Sequence, residues 1–222
     1  MCGIAGFVKF DAGEVDPALA GRMVQTLLHR GPDGTGIYGG GGAALAHARL
    51  SIIDLAGGRQ PMHNEDGTLW IAFNGEIFNY VELREELARA GHRFATNSDT
   101  EVILHLYEDL GPECVQRLNG QWAFAIWNTV KREMFLSRDR LGVRPLFHAK
   151  APDGAFVFGS EAKAVLAYPG MSRELDPIAL EQVFTIWCTI APRTAFKRVS
   201  ELPPGCSMIV SESGTSEWEH WR

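Results

Sequence analysis

Residue 2 is a cysteine, in the opening Met1-Cys2-Gly3-Ile4-Ala5-Gly6. Cysteine is small enough for a preceding initiator methionine to be cleaved away. Cys2 would then carry a thiol and a free α-amine, and an amine with a pKa of roughly 7.7–8.0 accepts a proton at neutral pH. One residue would supply both nucleophile and general base. If Met1 is retained, that amine is blocked. Arg49 lies in the run His47-Ala48-Arg49-Leu50-Ser51-Ile52-Ile53-Asp54, which is otherwise largely apolar. A buried guanidinium needs an acceptor, often a carboxylate gripped by both arms of its fork. Asn74-Gly75 could aim a side-chain amide and a backbone N–H at a developing oxyanion. Asp99, in Ser98-Asp99-Thr100-Glu101, could hold a substrate ammonium group.

Each feature has a plainer reading. Cys2 could be a small residue opening a buried strand. Arg49 could sit at a strand end and reach solvent. Asn-Gly between two strand-like runs is the favoured two-residue hairpin turn. Ser98 to Glu101 has the S-x-x-E form of a helix capping box.

The elements that must position these residues follow from periodicity and punctuation. Cys2 to Val8 reads as a short strand. Asp16-Pro17 starts a helix whose apolar stripe is Ala20, Met23, Val24, Leu27 and Leu28. Gly39 to Gly42 reads as a hairpin connection, and Ala43 to Asp54 as a buried strand. Leu69 to Phe73 and Glu76 to Tyr80 read as strands joined by Asn74-Gly75. Leu83 and Leu87 share a helical face that Gly91 ends. Val102, Ile103, Leu106, Tyr107 and Leu110 mark an amphipathic helix. Strands follow at Trp122 to Trp127, at Met134 to Leu136, and around Phe147 and Phe156 to Phe158. Asp176-Pro177 opens a last helix, and a short strand follows Leu202-Pro203-Pro204-Gly205. Strands grouped at both ends with helices between imply an α+β fold with antiparallel sheets.

The chain has 222 residues, 45% hydrophobic and 22% charged, which is ordinary globular composition and suits one large domain. A net charge of −6 gives a nucleic-acid role little help. No apolar run approaches the ~18 residues of a membrane span, and no signal peptide is evident. Cys2, Cys114, Cys188 and Cys206 form no CxxC pair, and no metal site is expected. Their number suits a reducing, cytoplasmic setting and leaves a Cys188–Cys206 bridge open.

Several motifs occur in order: Cys2-Gly3-Ile4, His29-Arg30-Gly31-Pro32-Asp33-Gly34, Arg49-Leu50-Ser51-Ile52-Ile53-Asp54, Asn74-Gly75-Glu76-Ile77-Phe78-Asn79, Ser98-Asp99-Thr100-Glu101, Arg138-Asp139-Arg140-Leu141-Gly142 and Gly159-Ser160-Glu161-Ala162-Lys163. The ordered set resembles the glutaminase domain of glutamine-hydrolysing asparagine synthetases, which are class II glutamine amidotransferases and N-terminal nucleophile (Ntn) hydrolases. The resemblance implies a four-layer αββα sandwich of two stacked antiparallel sheets. It implies that Cys2 attacks the γ-amide of L-glutamine, and that Asn74 and Gly75 stabilise the oxyanion. Arg49 would clamp the α-carboxylate, Asp99 and Glu76 the α-amino end, and the Ile52-Ile53 backbone would line the pocket. Ammonia would pass to an ATP-dependent synthetase domain or subunit. No SGGxDS-like pyrophosphate loop occurs here, so ATP and Mg are expected only of that partner, and this chain is expected to need no cofactor. Residues 1–210 are expected to form the glutaminase domain, and 211–222 a tail or the start of a linker. A homodimer is a further expectation. Cys206 stands where the family commonly has histidine, and Cys188 where it usually has no thiol. The competing reading from another class is a catalytically silent binding or regulatory module that keeps the fold.

Overall fold

Two six-stranded antiparallel sheets face each other in the computed structural model, which describes residues 1–11 and 14–222. Across the first sheet run Ser200–Glu201 (β10), Phe147–Lys150 (β8), Phe156–Gly159 (β9), Gly3–Val8 (β1), Ala43–Arg49 (β3) and Gly34–Gly40 (β2). Across the second run Gly214–Glu219 (β12), Cys206–Ser211 (β11), Glu133–Arg138 (β7), Gly120–Asn128 (β6), Leu69–Ile77 (β5) and Met62–His63 (β4). Helices Pro17–Gln25 (α1) and Ala162–Val165 (α4) cover the first sheet, and Tyr80–Ala90 (α2) and Asp99–Leu110 (α3) cover the second. A further helix, Pro177–Ile186 (α5), lies largely exposed.

Strand alternation builds the layers. Along β1, Ala5 and Phe7 pack with Met23, Val24 and Leu27 under α1, whereas Ile4 and Val8 point into the space between the sheets. Along β5, Leu69, Ile71, Phe73 and Ile77 pack against α2 and α3, whereas Ala72 faces the other sheet. Asn74 and Glu76 share the parity of Ala72, so the same alternation turns them toward the inner side. The result is helix, sheet, sheet, helix, the expected four-layer α+β sandwich. No helix among the described residues is long and apolar enough to cross a membrane.

Three local expectations change, and one strand was not expected. Asn74-Gly75 is not a turn: β5 is one continuous strand, with Asn74 opposite Ala123 and Gly75 opposite Trp122. Gly75 is needed for close packing, since a Cβ there would meet the Gln121 carbonyl oxygen at 2.2 Å. The strand expected to run to Asp54 ends at Arg49, and residues 50–61 form a loop. Residues 211–222 include β12, paired with β11 along its length, so they extend the sheet. Gly34 to Gly40, poor in strand-forming residues, forms β2 because β3 pairs with all of it. All four cysteines are free thiols, with Cys188 exposed and Cys206 buried.

Candidate active site

Cys2 lies just before β1, beside the end of β3. Its Sγ accepts the Leu50 N–H at 3.3 Å and lies 3.5 Å from the Leu50 carbonyl. Burial pushes the thiol above its ordinary pKa, and the Leu50 backbone, the N-terminal ammonium, Arg49 and Arg144 pull it back down. The net rise keeps the thiol protonated at neutral pH, so a nucleophilic role requires a local base. His47 is the imidazole lining the same cavity, and burial holds it down to about 3. Its Nε2 lies 3.1 Å from the Phe73 carbonyl across the two sheets. So weak a base leaves the α-amine of a processed Cys2 as the better proton acceptor.

The Arg30-Gly31-Pro32-Asp33 segment shapes this corner. Gly31 packs where a Cβ would lie 2.2 Å from the Ala48 carbonyl oxygen. Asp33 Oδ2 accepts the Ser51 N–H at 2.7 Å, which fixes the start of the 50–61 loop. Glu161 receives Arg30, His29 and Lys163, and these contacts bring its carboxyl down to about 2 against the opposing effect of burial.

Arg49 closes the cavity from the end of β3. Its Nη1 donates to the Leu55 carbonyl at 3.0 Å, and its Nη2 to the Asp54 and Ile53 carbonyls at 2.7 and 3.3 Å. Three backbone carbonyls of the 50–61 loop thus hold the guanidinium at the cavity wall. Ile52 and Ile53 line the same cavity, with the Ile52 side chain turned out to solvent.

Asn74 is the decisive residue. It is 1% exposed, and neither its Oδ1 nor its Nδ2 has a hydrogen-bond partner among the described residues. A buried amide in that state costs free energy unless a water or a ligand in the cavity completes it. Asn74, Gly75 and Glu76 line the cavity that holds Cys2, so the amide opens toward the thiol's pocket.

Asp99, the first residue of α3, forms the opposite wall. Its Oδ2 accepts the Ile77 N–H at 3.0 Å. Burial raises its carboxyl to about 6, with neighbouring Glu76 adding to the rise and the Ile77 and Thr100 N–H groups opposing it. An ammonium arriving at this wall would favour the ionised form. The capping box is incomplete. Ser98 Oγ accepts from Thr100 N, but Glu101 turns away to take the Ala95 and Thr96 N–H groups. Glu101 thereby fixes the loop that delivers Ser98 and Asp99.

All eight sequence-derived site residues — Cys2, Arg49, Ile52, Ile53, Asn74, Gly75, Glu76 and Asp99 — line one cavity. His47, Gln60, Ser98, Thr100 and Arg144 line it too and were not among them. Gln60 bridges Phe73 N and Thr100 Oγ1, at 2.6 and 3.1 Å. Arg144 reaches the cavity on a loop organised by buried Asp139, whose carboxylate accepts the Leu141, Val143 and Arg144 N–H groups. Its motif, Arg138 to Gly142, was visible in the sequence, but nothing there singled out Arg144.

The glutamine amidotransferase domain model matches residues 1–221. Asparagine synthetase [glutamine-hydrolyzing] 3 of Bacillus subtilis is 40% identical over 225 residues, covering 100% of this chain and 36% of that protein. A probable asparagine synthetase [glutamine-hydrolyzing] of Dictyostelium discoideum is 46% identical over 167 residues, covering 74% of this chain and 30% of that protein. The chain thus spans about a third of the length of these curated relatives. Among solved structures, the glutamine phosphoribosylpyrophosphate amidotransferase of B. subtilis superposes with a TM-score of 0.71 at 23% identity, covering 99% of this chain and 49% of that one. That likeness establishes the fold. The chain belongs to the class II glutamine amidotransferase family, on the branch formed by the glutamine-hydrolysing asparagine synthetases.

Proposed function

We propose that this chain hydrolyses L-glutamine to glutamate and ammonia, and that ammonia passes to an ATP-dependent, amide-forming partner of the asparagine synthetase type. The observation that carries the reading is the buried, unpartnered Asn74 amide opening into the cavity of Cys2. With Met1 removed, the Cys2 α-amine takes the thiol proton as sulfur attacks the γ-carbonyl. Asn74 Nδ2 and the Gly75 N–H receive the oxyanion. The C–N bond breaks, the amine returns the proton to the departing nitrogen, and ammonia leaves. Water then attacks the glutamyl thioester, which releases glutamate and restores the thiol. The Arg49 guanidinium grips the α-carboxylate, and Asp99 and Glu76 receive the α-ammonium.

The partner reading draws on two facts. The relatives are about three times longer than this chain. On and beside α5, Phe184 and Trp187 are 86% and 91% exposed, with Ile186 and Ile190 near them in sequence. An apolar ridge of this kind suits burial against another domain. ATP and Mg belong to that partner. Four reduced thiols suit a cytoplasmic setting. A silent module would have no need of an unpartnered amide beside a nucleophile.

The test is a glutamine analogue with a γ-diazoketone, followed by peptide mapping and intact mass. Label on Cys2 in chains lacking Met1, with no hydrolysis by Cys2→Ala, is the expected result. Label on Cys114, Cys188 or Cys206, or ammonia release by Cys2→Ala, would overturn the reading.

A further inference from the structure

On the outer helical layer, His92, His105 and Glu65 bring one ligand atom each within 4.8 Å of one another. They come from three separate segments: the connection before β5, the connection between α2 and α3, and the body of α3. His105 Nδ1 lies 3.7 Å from Glu65 Oε2. Glu108 borders the group, with its Oε2 3.5 Å from His92 Nδ1 and 2.7 Å from His105 Nδ1. Donors bound tetrahedrally at ~2.0–2.1 Å stand roughly 3.3 Å apart, so these separations bracket a first-row metal shell.

The orientation of the rings makes the stronger case. Both histidines turn Nδ1 toward the cluster and Nε2 toward an outer carboxylate. His92 Nε2 lies 3.1 Å from Asp109 Oδ1, and His105 Nε2 lies 3.9 Å from Glu101 Oε1. The Asp109 carboxylate behind the His92 ring fixes that ring and raises the basicity of the nitrogen facing the metal, while Glu101 stands farther behind His105 as a negative charge without a hydrogen bond. His105 is fully buried with its Nδ1 facing the cluster, whereas Glu65 is 44% exposed in its side chain and leaves a path from solvent. Two imidazoles with carboxylates favour zinc over magnesium or calcium, which prefer oxygen ligands alone.

We propose that His92, His105 and Glu65 bind a zinc-type divalent cation, with Glu108 beside them completing the shell. The cation takes the place of the proton shared between His105 Nδ1 and Glu108 Oε2, and that proton is released to solvent. Binding would clasp the β4–β5 and α2–α3 connections onto α3, the helix whose first residue is Asp99.

The experiment titrates zinc into chelator-treated full chain by calorimetry and records the cobalt(II) spectrum of the same preparation. The Cys2 thiol is the rival ligand, so Cys2→Ser is run in parallel with His92→Gln and Glu65→Gln. The expected result is one zinc per chain, affinity lowered roughly tenfold or more in both His92→Gln and Glu65→Gln, no change in Cys2→Ser, and a cobalt spectrum without thiolate-to-metal charge transfer. Circular dichroism of each variant confirms that lost binding is not lost folding. No binding by the wild type, affinity unchanged in folded His92→Gln, or binding abolished in Cys2→Ser would overturn the site.

Discussion

Asn64 precedes β5 and Asn74 lies within it, and both are buried, at 3% and 1% exposure. Asn64 sits in the turn entering β5. Its Nδ2 donates to Thr68 Oγ1 and Glu108 Oε1, and its Oδ1 accepts the Leu69 N–H. Asn74, inside the strand, has no partner for either amide atom among the described residues. The chemical group and the burial are the same, so the difference lies in what the surroundings supply. One amide is completed by the fold and holds the strand's entry. The other is left incomplete by the fold, a condition relieved by a water or by a ligand with donors and acceptors of its own. On the proposed reading, stability and function are thereby separated onto two copies of one residue type.

Substituting each in turn is the sharpest way to break this comparison, and its expected effect is the largest. Asn74→Ala should lower kcat by roughly 10²–10³, the usual cost of one oxyanion donor, with little change in Tm because no internal hydrogen bond is lost. Asn64→Ala should lower stability by about 1–3 kcal/mol, since it strands a buried N–H and a carboxylate, while kcat stays within about twofold. Kinetics and thermal unfolding on the same preparations decide it. A large Tm loss with unchanged kcat in Asn74→Ala would return Asn74 to a structural role.

Arg49 tests the comparison at a residue that is partly completed. Arg49→Lys should raise KM for glutamine by about tenfold or more, because lysine lacks the planar fork. Arg49 also holds the Ile53, Asp54 and Leu55 carbonyls, so a loosened loop could raise KM as well. A glutamine analogue without the α-carboxylate separates the two causes. It should be nearly indifferent to the substitution. An equal loss on both substrates would assign Arg49 to the loop and not to the ligand.

The sequence makes the layers legible where side-chain alternation is strong, as in Leu69, Ile71 and Phe73 or in the α3 stripe. It misleads at Asn74-Gly75. The local preference of Asn-Gly for a turn is overridden by pairing with β6 along the whole of β5. The strand β2 is hidden because four of its seven residues are glycine, and only the neighbouring β3 makes it a strand. Arg49 was legible as a charged residue set in an apolar run, and Asp99 through the motif Ser98 to Glu101, whose other reading is a helix cap. Arg144 and Gln60 were not, because each reaches the cavity from a loop whose course depends on distant partners. Asp139 organises one loop, and Phe73 N and Thr100 anchor the side chain on the other.

The smallest expected effect, and the most diagnostic in sign, belongs to Asp99. Burial raises its carboxyl to about 6 in the folded chain, against ~3.9 when unfolded. A raised carboxyl pKa means the folded state holds its proton more tightly. Its contribution therefore favours folding below pH ~4 and is lost as pH rises through about 6. At neutral pH the ionised group is a cost, and Asp99→Asn should raise Tm there. That advantage should shrink between pH 7 and 5 as the wild-type carboxyl becomes protonated. Glu101 and Glu161, both held down to about 2, contribute stability that is lost only as pH falls from ~4.5 toward that value. They are present in both proteins and cancel in the difference. Glutamine binding should run the opposite way. The substrate ammonium needs the ionised carboxylate, so wild-type kcat/KM should fall as pH drops through about 6, and the variant should be uniformly low and lack that step. Opposed pH trends in stability and in kcat/KM would mark Asp99 as a group held at a folding cost for a cationic ligand. A variant less stable at every pH, with a wild-type kcat/KM that shows no step near 6, would mean that Asp99 serves only to receive the Ile77 N–H at the start of α3.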